Sequence, residues 1–164
     1  MLIYLVRHGE AVENEPQVVA DEDRELSDIG RKKIKKQSKG MAAIKICPDV
    51  ILTGSAKRAV ETALIIAKEL DLDDKVEECM EITADGDIDM MVSLLAKIPP
   101  VTSAMIVGHE PSIGKLASFL LGSRRTIIEF KKGSVCCIEV SDLSEAEEGK
   151  LKYHLSPKQL RKLA

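Results

Sequence analysis

Residues 2–9 read LIYLVRHG, and the reading of this stretch decides the fold. Leu2 to Val6 is a short apolar run rich in β-formers, and it breaks at Arg7-His8-Gly9. An uninterrupted apolar run of this length is a strand buried on both faces that opens into a loop. The pattern recurs at Asp49–Thr53 (DVILT), which breaks at Gly54, and at Ala104–Val107 (AMIV), which breaks at Gly108. Helical sequence follows both. Ser55 is placed to cap a helix whose Ala59, Ala63, Ile66, Ala67 and Leu70 recur at helical spacing, and Pro111 suits the first position of another. Strand-loop-helix units in series imply a three-layer α/β/α domain with a mostly parallel central sheet, whose ligands bind at the carboxyl ends of the strands.

Farther along, Thr126–Phe130 and Ser134–Val140 are strand-like runs separated by Lys131-Lys132-Gly133, which predicts a hairpin; Lys150–Leu155 adds an edge strand. Asp142–Gly149 is a polar, acidic loop. With no repeat, low-complexity block or linker, residues 1–164 are expected to form a single domain.

Composition narrows the function. The chain is 45% hydrophobic and 31% charged, the balance of a globular protein, but only 2% aromatic with no Trp. Its core must therefore be built from Ile, Leu, Val, Ala and Met, and it has few rings on which bases could stack. A net charge of −3 provides no global attraction to polyanions, so nucleic acid is not expected as a main partner. The opening apolar run is too short for a membrane span and lacks a preceding basic region and a cleavage site, and no other segment approaches spanning length. A cytoplasmic protein with no membrane partner is expected. Cys47, Cys79, Cys136 and Cys137 form no C-x-x-C pair or zinc spacing, so they are expected to be reduced thiols, with Cys136 and Cys137 on opposite faces of a strand.

Two of the three histidines, His8 and His109, fall at equivalent ends of strand-loop-helix units; the third, His154, has no such context. Arg58 lies in the first turn of the helix after Asp49–Thr53, where the guanidinium and the helix N-terminus both favour an anion. Arg7, Arg58, His8 and His109 can thus converge on one phosphate.

Four blocks, Arg7-His8-Gly9-Glu10, Leu26-Ser27-Asp28-Ile29-Gly30, Leu52-Thr53-Gly54-Ser55 with Arg58-Ala59-Val60-Glu61-Thr62-Ala63, and Val107-Gly108-His109-Glu110-Pro111, resemble the histidine phosphatase (phosphoglycerate mutase-like) superfamily in order and spacing. Within it, the short length and the closing Ser156-Pro157-Lys158 most resemble the SixA-type phosphohistidine phosphatases. The resemblance implies that His8 attacks phosphorus while Arg7, Arg58 and His109 hold the phosphoryl oxygens, and that water then hydrolyses the covalent intermediate. No metal or other cofactor is required, because positive side chains stabilise the charge on the equatorial oxygens. Asn14 resembles a phosphate-contacting position of the mutase branch; a loop-turn asparagine is the alternative. Ser27 reads as a helix N-cap before it reads as a phosphate ligand. Thr62 and Glu61 are placed to support Arg58 and a nearby base.

The general acid is open between Glu110, which follows the second histidine as in the acid phosphatase branch, and Glu81, in the region of the mutase acid. Gly54-Ser55-Ala56 departs from the Ser-Pro of many relatives, which suggests a looser loop. Between Leu70 and Ser103 there is no room for a large cap insertion, so the pocket is expected to be open enough for a phosphorylated side chain on a protein. The implied function is a phosphohistidine phosphatase, with a small-molecule phosphomonoesterase or a non-catalytic phosphate-binding module as alternatives. The basic run Arg31, Lys32, Lys33, Lys35, Lys36 and Lys39 is either a solvated helix face or a dock for an acidic partner such as a histidine phosphotransfer domain.

Overall fold

Alternation along the first strand builds the middle of the molecule: Ile3 and Leu5 enter one apolar cluster, Tyr4 and Val6 another, and all four are buried. The computed structural model describes residues 1–13, 20–98, 102–141, 143 and 149–164. In chain order the elements are β1 (Leu2–Arg7), α1 (Asp28–Ala43), β2 (Val50–Thr53), α2 (Lys57–Glu69), β3 (Val76–Glu78), α3 (Ile88–Lys97), β4 (Ser103–Gly108), α4 (Ser112–Leu120), β5 (Val135–Glu139), β6 (Lys150–Leu155) and α5 (Pro157–Leu163). The strands form one sheet in the order β3-β2-β4-β1-β5-β6. The first four are mutually parallel, and β5 and β6 run antiparallel to their neighbours.

Each face of the sheet has its own core. Ile34 and Met41 of α1, Ala59, Ala63 and Ile66 of α2, and Leu160 of α5 pack on one side; Met91 and Leu95 of α3, with Ile113, Leu116 and Leu120 of α4, pack on the other. The adjacent Cys136 and Cys137 divide between the two clusters as pleating requires, and all four cysteines are free. Cys47, unlike that buried pair, is exposed. No helix among the described residues is long and apolar enough to cross a membrane.

Topology locates the crevice. β1 and β4 are parallel neighbours, with Arg7 opposite Gly108, yet the chain leaves β1 toward α1 on one face and leaves β4 toward α4 on the other. Adjacent parallel strands whose connections depart to opposite faces open a gap beyond their carboxyl ends. His8 and His109 are the next residue on each strand.

Several local expectations change. Thr126–Phe130 is not a strand and forms no hairpin with β5: β1 and β6 already occupy both edges of β5, and the backbone of 126–130 is satisfied by side chains instead. The antiparallel hairpin partners are β5 and β6. Ser55 does not cap α2, which starts after Ala56 with no side-chain cap, and Pro111 precedes α4 rather than beginning it. Ser27 does cap α1, its hydroxyl accepting the Gly30 amide at 3.0 Å. β3 and α3 lack the signals of the other units: Val76-Glu77-Glu78 is a short, largely polar edge with no buried residue.

Candidate active site

Three strand ends supply the site. His8 follows β1, Arg58 lies in the first turn of α2 beyond β2, and His109 follows β4. The His8 amide donates to Gly108 O at 3.0 Å, so the two histidine loops are tied together directly. Their rings lie with centroids 4.8 Å apart, and both side chains are buried.

His8 Nδ1 is 2.7 Å from Gly9 O. A carbonyl oxygen only accepts, so Nδ1 carries the proton and Nε2 keeps its lone pair. Burial lowers the pKa of His8 to about 3, aided by the neighbouring His109 ring and by the positive charges of Arg58 and Arg7. His109 is lowered to about 4, by burial first and then by Arg58, with Arg7 adding to it and Asp21 opposing. Both rings are therefore neutral near pH 7. The positive charges of Arg58 and Arg7 act on both rings. Two polar atoms here, Arg7 Nε and His109 Nδ1, are buried with no hydrogen-bond partner among the described residues.

A cavity of about 260 Å³ opens over this cluster, lined by Asp21, Glu22, Ser55, Ala56, Arg58, Ile82, Thr83, Ala84, Asp85 and His109. His8 and Arg7 sit beside it rather than in its wall. The 82–85 segment packs closely on the β2–α2 loop: a Cβ on Gly54 would stand 1.8 Å from Ile82 O, so this glycine permits tight backbone contact rather than a looser loop.

Buried hydrogen bonds fix these positions. Thr62 Oγ1 accepts the Gly9 amide at 3.0 Å and donates to Arg58 O at 2.7 Å, coupling the His8 loop to α2. Glu61 accepts the Leu26 amide at 2.7 Å and pairs with Arg31 at 3.0 Å. Arg31, Lys33 and Lys35 of the basic run form ion pairs with Glu61, Glu10 and Glu69.

Asp21 carries no sequence signal of its role. Its carboxylate pairs with Arg58 at 2.7 Å and with Arg24 at 2.8 Å, and its backbone oxygen also accepts from Arg58. The hydrogen bond from Arg24, joined by Arg58, holds the Asp21 carboxyl below its usual pKa. Among the candidate acids, neither Glu110 nor Glu81 lines the cavity. Glu110 Oε1 accepts the Phe130 amide at 2.6 Å, while Asp85 does reach the wall. Asn14 lies outside the described residues. His154 belongs to β6 with its ring on Phe130, centroids 4.9 Å apart.

Comparison with known proteins bears on the family and the fold. A family model described as "Histidine phosphatase superfamily (branch 1)" matches residues 3–91, more than half of the 164. No curated protein sequence is significantly similar to the chain. Among solved structures, the protein histidine phosphatase SixA complexed with tungstate is 23% identical with a TM-score of 0.86, covering 98% of this chain and 99% of that one. A protein assigned as SixA from Agrobacterium tumefaciens is 22% identical (TM-score 0.80; 95% and 97% covered). The α-ribazole phosphatase of Shigella flexneri is 15% identical (TM-score 0.76; 96% and 97% covered). These structures share the fold, a mostly parallel α/β sheet of phosphoglycerate mutase type.

Proposed function

Because this chain belongs to the histidine phosphatase superfamily, we propose that it removes phosphoryl groups through a covalent phosphohistidine on His8 and that phosphohistidine on a protein is its substrate. One observation carries the reading: His8 is a neutral imidazole whose proton is committed to Gly9 O, set against His109 and within the field of two arginines.

In the first step His8 Nε2 forms a bond to phosphorus as the bond to the departing group breaks. Arg7 and Arg58 stabilise charge on the equatorial oxygens, a contribution that grows in a site sheltered from water. His109, neutral in the free protein, gains a reason to hold a proton when a phosphoryl dianion lies beside it. When the free nitrogen of the phosphorylated substrate ring carries a proton, P–N cleavage releases a neutral imidazole, and the step then makes little demand on a general acid. Water then attacks the phosphohistidine, releasing inorganic phosphate and restoring His8; two easier transfers replace one difficult hydrolysis. The cavity of about 260 Å³ suits a phosphoryl group on a side chain. The α-ribazole phosphatase fold likeness supports a second reading, a phosphomonoesterase acting on a small molecule.

The test is trapping with a labelled phosphodonor. Acid-labile, base-stable label is expected on the wild type and absent from His8→Ala; substantial turnover by that variant rejects the mechanism. Faster hydrolysis of sugar or nucleotide phosphates than of a phosphorylated histidine phosphotransfer domain would transfer the substrate assignment to the second reading.

A further inference from the structure

One peptide unit outside the cavity is held by a charged residue from each histidine loop. Phe130 O accepts from Arg7 NH1 at 2.6 Å, and Phe130 N donates to Glu110 Oε1 at 2.6 Å. Arg7 immediately precedes His8, and Glu110 immediately follows His109. The backbone of Phe130 thus links the end of β1 to the residue after His109, without lining the cavity. The Arg7 contact comes from a permanently charged guanidinium, the class of hydrogen bond that is shorter and about twice as strong as a neutral one.

We propose that Glu110 is a positioning residue that acts through Phe130 on Arg7, and that it is not the general acid of the reaction. This inference rests on the phosphatase reading of the site. Three observations support it. The Glu110 carboxylate is engaged by the Phe130 amide at 2.6 Å, a partner from a segment well beyond α4. A Cβ on Gly114 would lie 2.8 Å from Glu110 Oε2 and 2.8 Å from Ile128 O, so α4 carries a glycine where the carboxylate and the 126–130 segment press against it. Finally, Arg7 NH1 donates to Phe130 O at 2.6 Å, so the position of the Phe130 carbonyl sets where the guanidinium lies.

The consequence is a chain of placement from Glu110 through the Phe130 amide and carbonyl to Arg7. Phe130 is also steadied by its ring contact with His154 and by burial of its side chain. The same segment is pinned at its other end, where the Ile127 amide donates to Ser118 Oγ at 2.9 Å. Releasing Glu110 leaves Arg7 attached to a carbonyl whose own amide has lost its anchor, held by the remaining side-chain contacts alone.

The experiment compares Glu110→Ala, Glu110→Gln and Gly114→Ala with the wild type, using aryl phosphates of graded leaving-group basicity and, separately, inorganic phosphate affinity. A misplacement near 1 Å costs up to about a hundredfold in rate, so Glu110→Ala is expected to lower kcat/KM roughly ten- to a hundredfold across the whole series. Phosphate affinity should fall with it, and Gly114→Ala should behave similarly. Glu110→Gln, whose amide oxygen still accepts from Phe130, should recover activity to within about threefold, with an unchanged alkaline limb in its pH profile. The proposal is overturned if Gln is as damaging as Ala with a loss that steepens for poor leaving groups, which is the mark of a general acid. It is equally overturned if both substitutions change only the melting temperature. Glu110→Gln is isosteric, so its leaving-group dependence decides the matter even if the alanine variant does not fold. If the wild type binds phosphate without hydrolysing any ester or phosphoramidate, the phosphatase reading fails alone, and phosphate affinity still reports on the clamp.

Discussion

Substituting His8 by Asn should flatten the acid side of the stability curve. The folded protein holds His8 neutral with a pKa of about 3, against 6.5 for an exposed imidazole. In the unfolded chain this histidine takes up a proton below pH 6.5; in the folded chain it does not until near pH 3. Stability from this group is therefore complete above pH 6.5 and is lost as the pH falls toward 3. Each pH unit in that window costs about 1.4 kcal/mol, so at pH 5, one and a half units below the unfolded value, the loss is roughly 2 kcal/mol. His8→Asn removes the linkage and keeps a small polar side chain. Urea unfolding in phosphate-free buffer at pH 7 and pH 5, followed by far-UV circular dichroism since the chain has no Trp, measures both proteins. The wild type should lose about 2 kcal/mol more than the variant between these conditions, equivalent to a melting-point difference of about 4–8 °C at this chain length. Parallel profiles would mean that His8 titrates in the folded protein as it does in water. The lowering of the His8 pKa by burial would then be refuted.

Three other outcomes follow from particular contacts. Asp21→Asn removes the carboxylate charge on Arg58, and inorganic phosphate or tungstate should inhibit up to about fivefold more tightly, the worth of a solvent-exposed ion pair; weaker inhibition would show that Asp21 holds Arg58 in place. Thr62→Val leaves the buried Gly9 amide without an acceptor, and should cost about 1–3 kcal/mol in denaturant unfolding together with a fall in kcat. Gly54→Ala drives a methyl against Ile82 O, and should destabilise by about 1–3 kcal/mol and reduce turnover through displacement of the 82–85 wall, which steady-state kinetics and thermal melts would detect together.

Much of the framework was legible because its signals are local. Buried parallel strands are apolar on both faces, so β1, β2 and β4 stand out as uninterrupted runs, and the break after each is where the chain turns toward a helix. Edge strands lack that signature: β3 has no buried residue, and nothing in Val76-Glu77-Glu78 distinguishes it from a loop. Thr126–Phe130 failed for the opposite reason. Its composition suits a strand, but strand identity requires a free sheet edge, and β5 had already paired on both sides.

The sequence by itself determined the order of the parallel units and the identity of the four groups that gather at the strand ends, since a short motif carries both its residue types and its place after a strand. Only the tertiary structure decided their charge states and partners. His8 is neutral because burial acts on it together with His109 and Arg58 from other loops and with the adjacent Arg7. Arg58 meets Asp21 across 37 residues, and Arg7 meets Phe130 across 123, separations over which no periodicity extends. Glu110 shows the division most plainly. Its place after His109 is equally compatible with an acid aimed at the leaving group and with an anchor for a distant amide, and only the packing of α4 against the 126–130 segment tells the two apart.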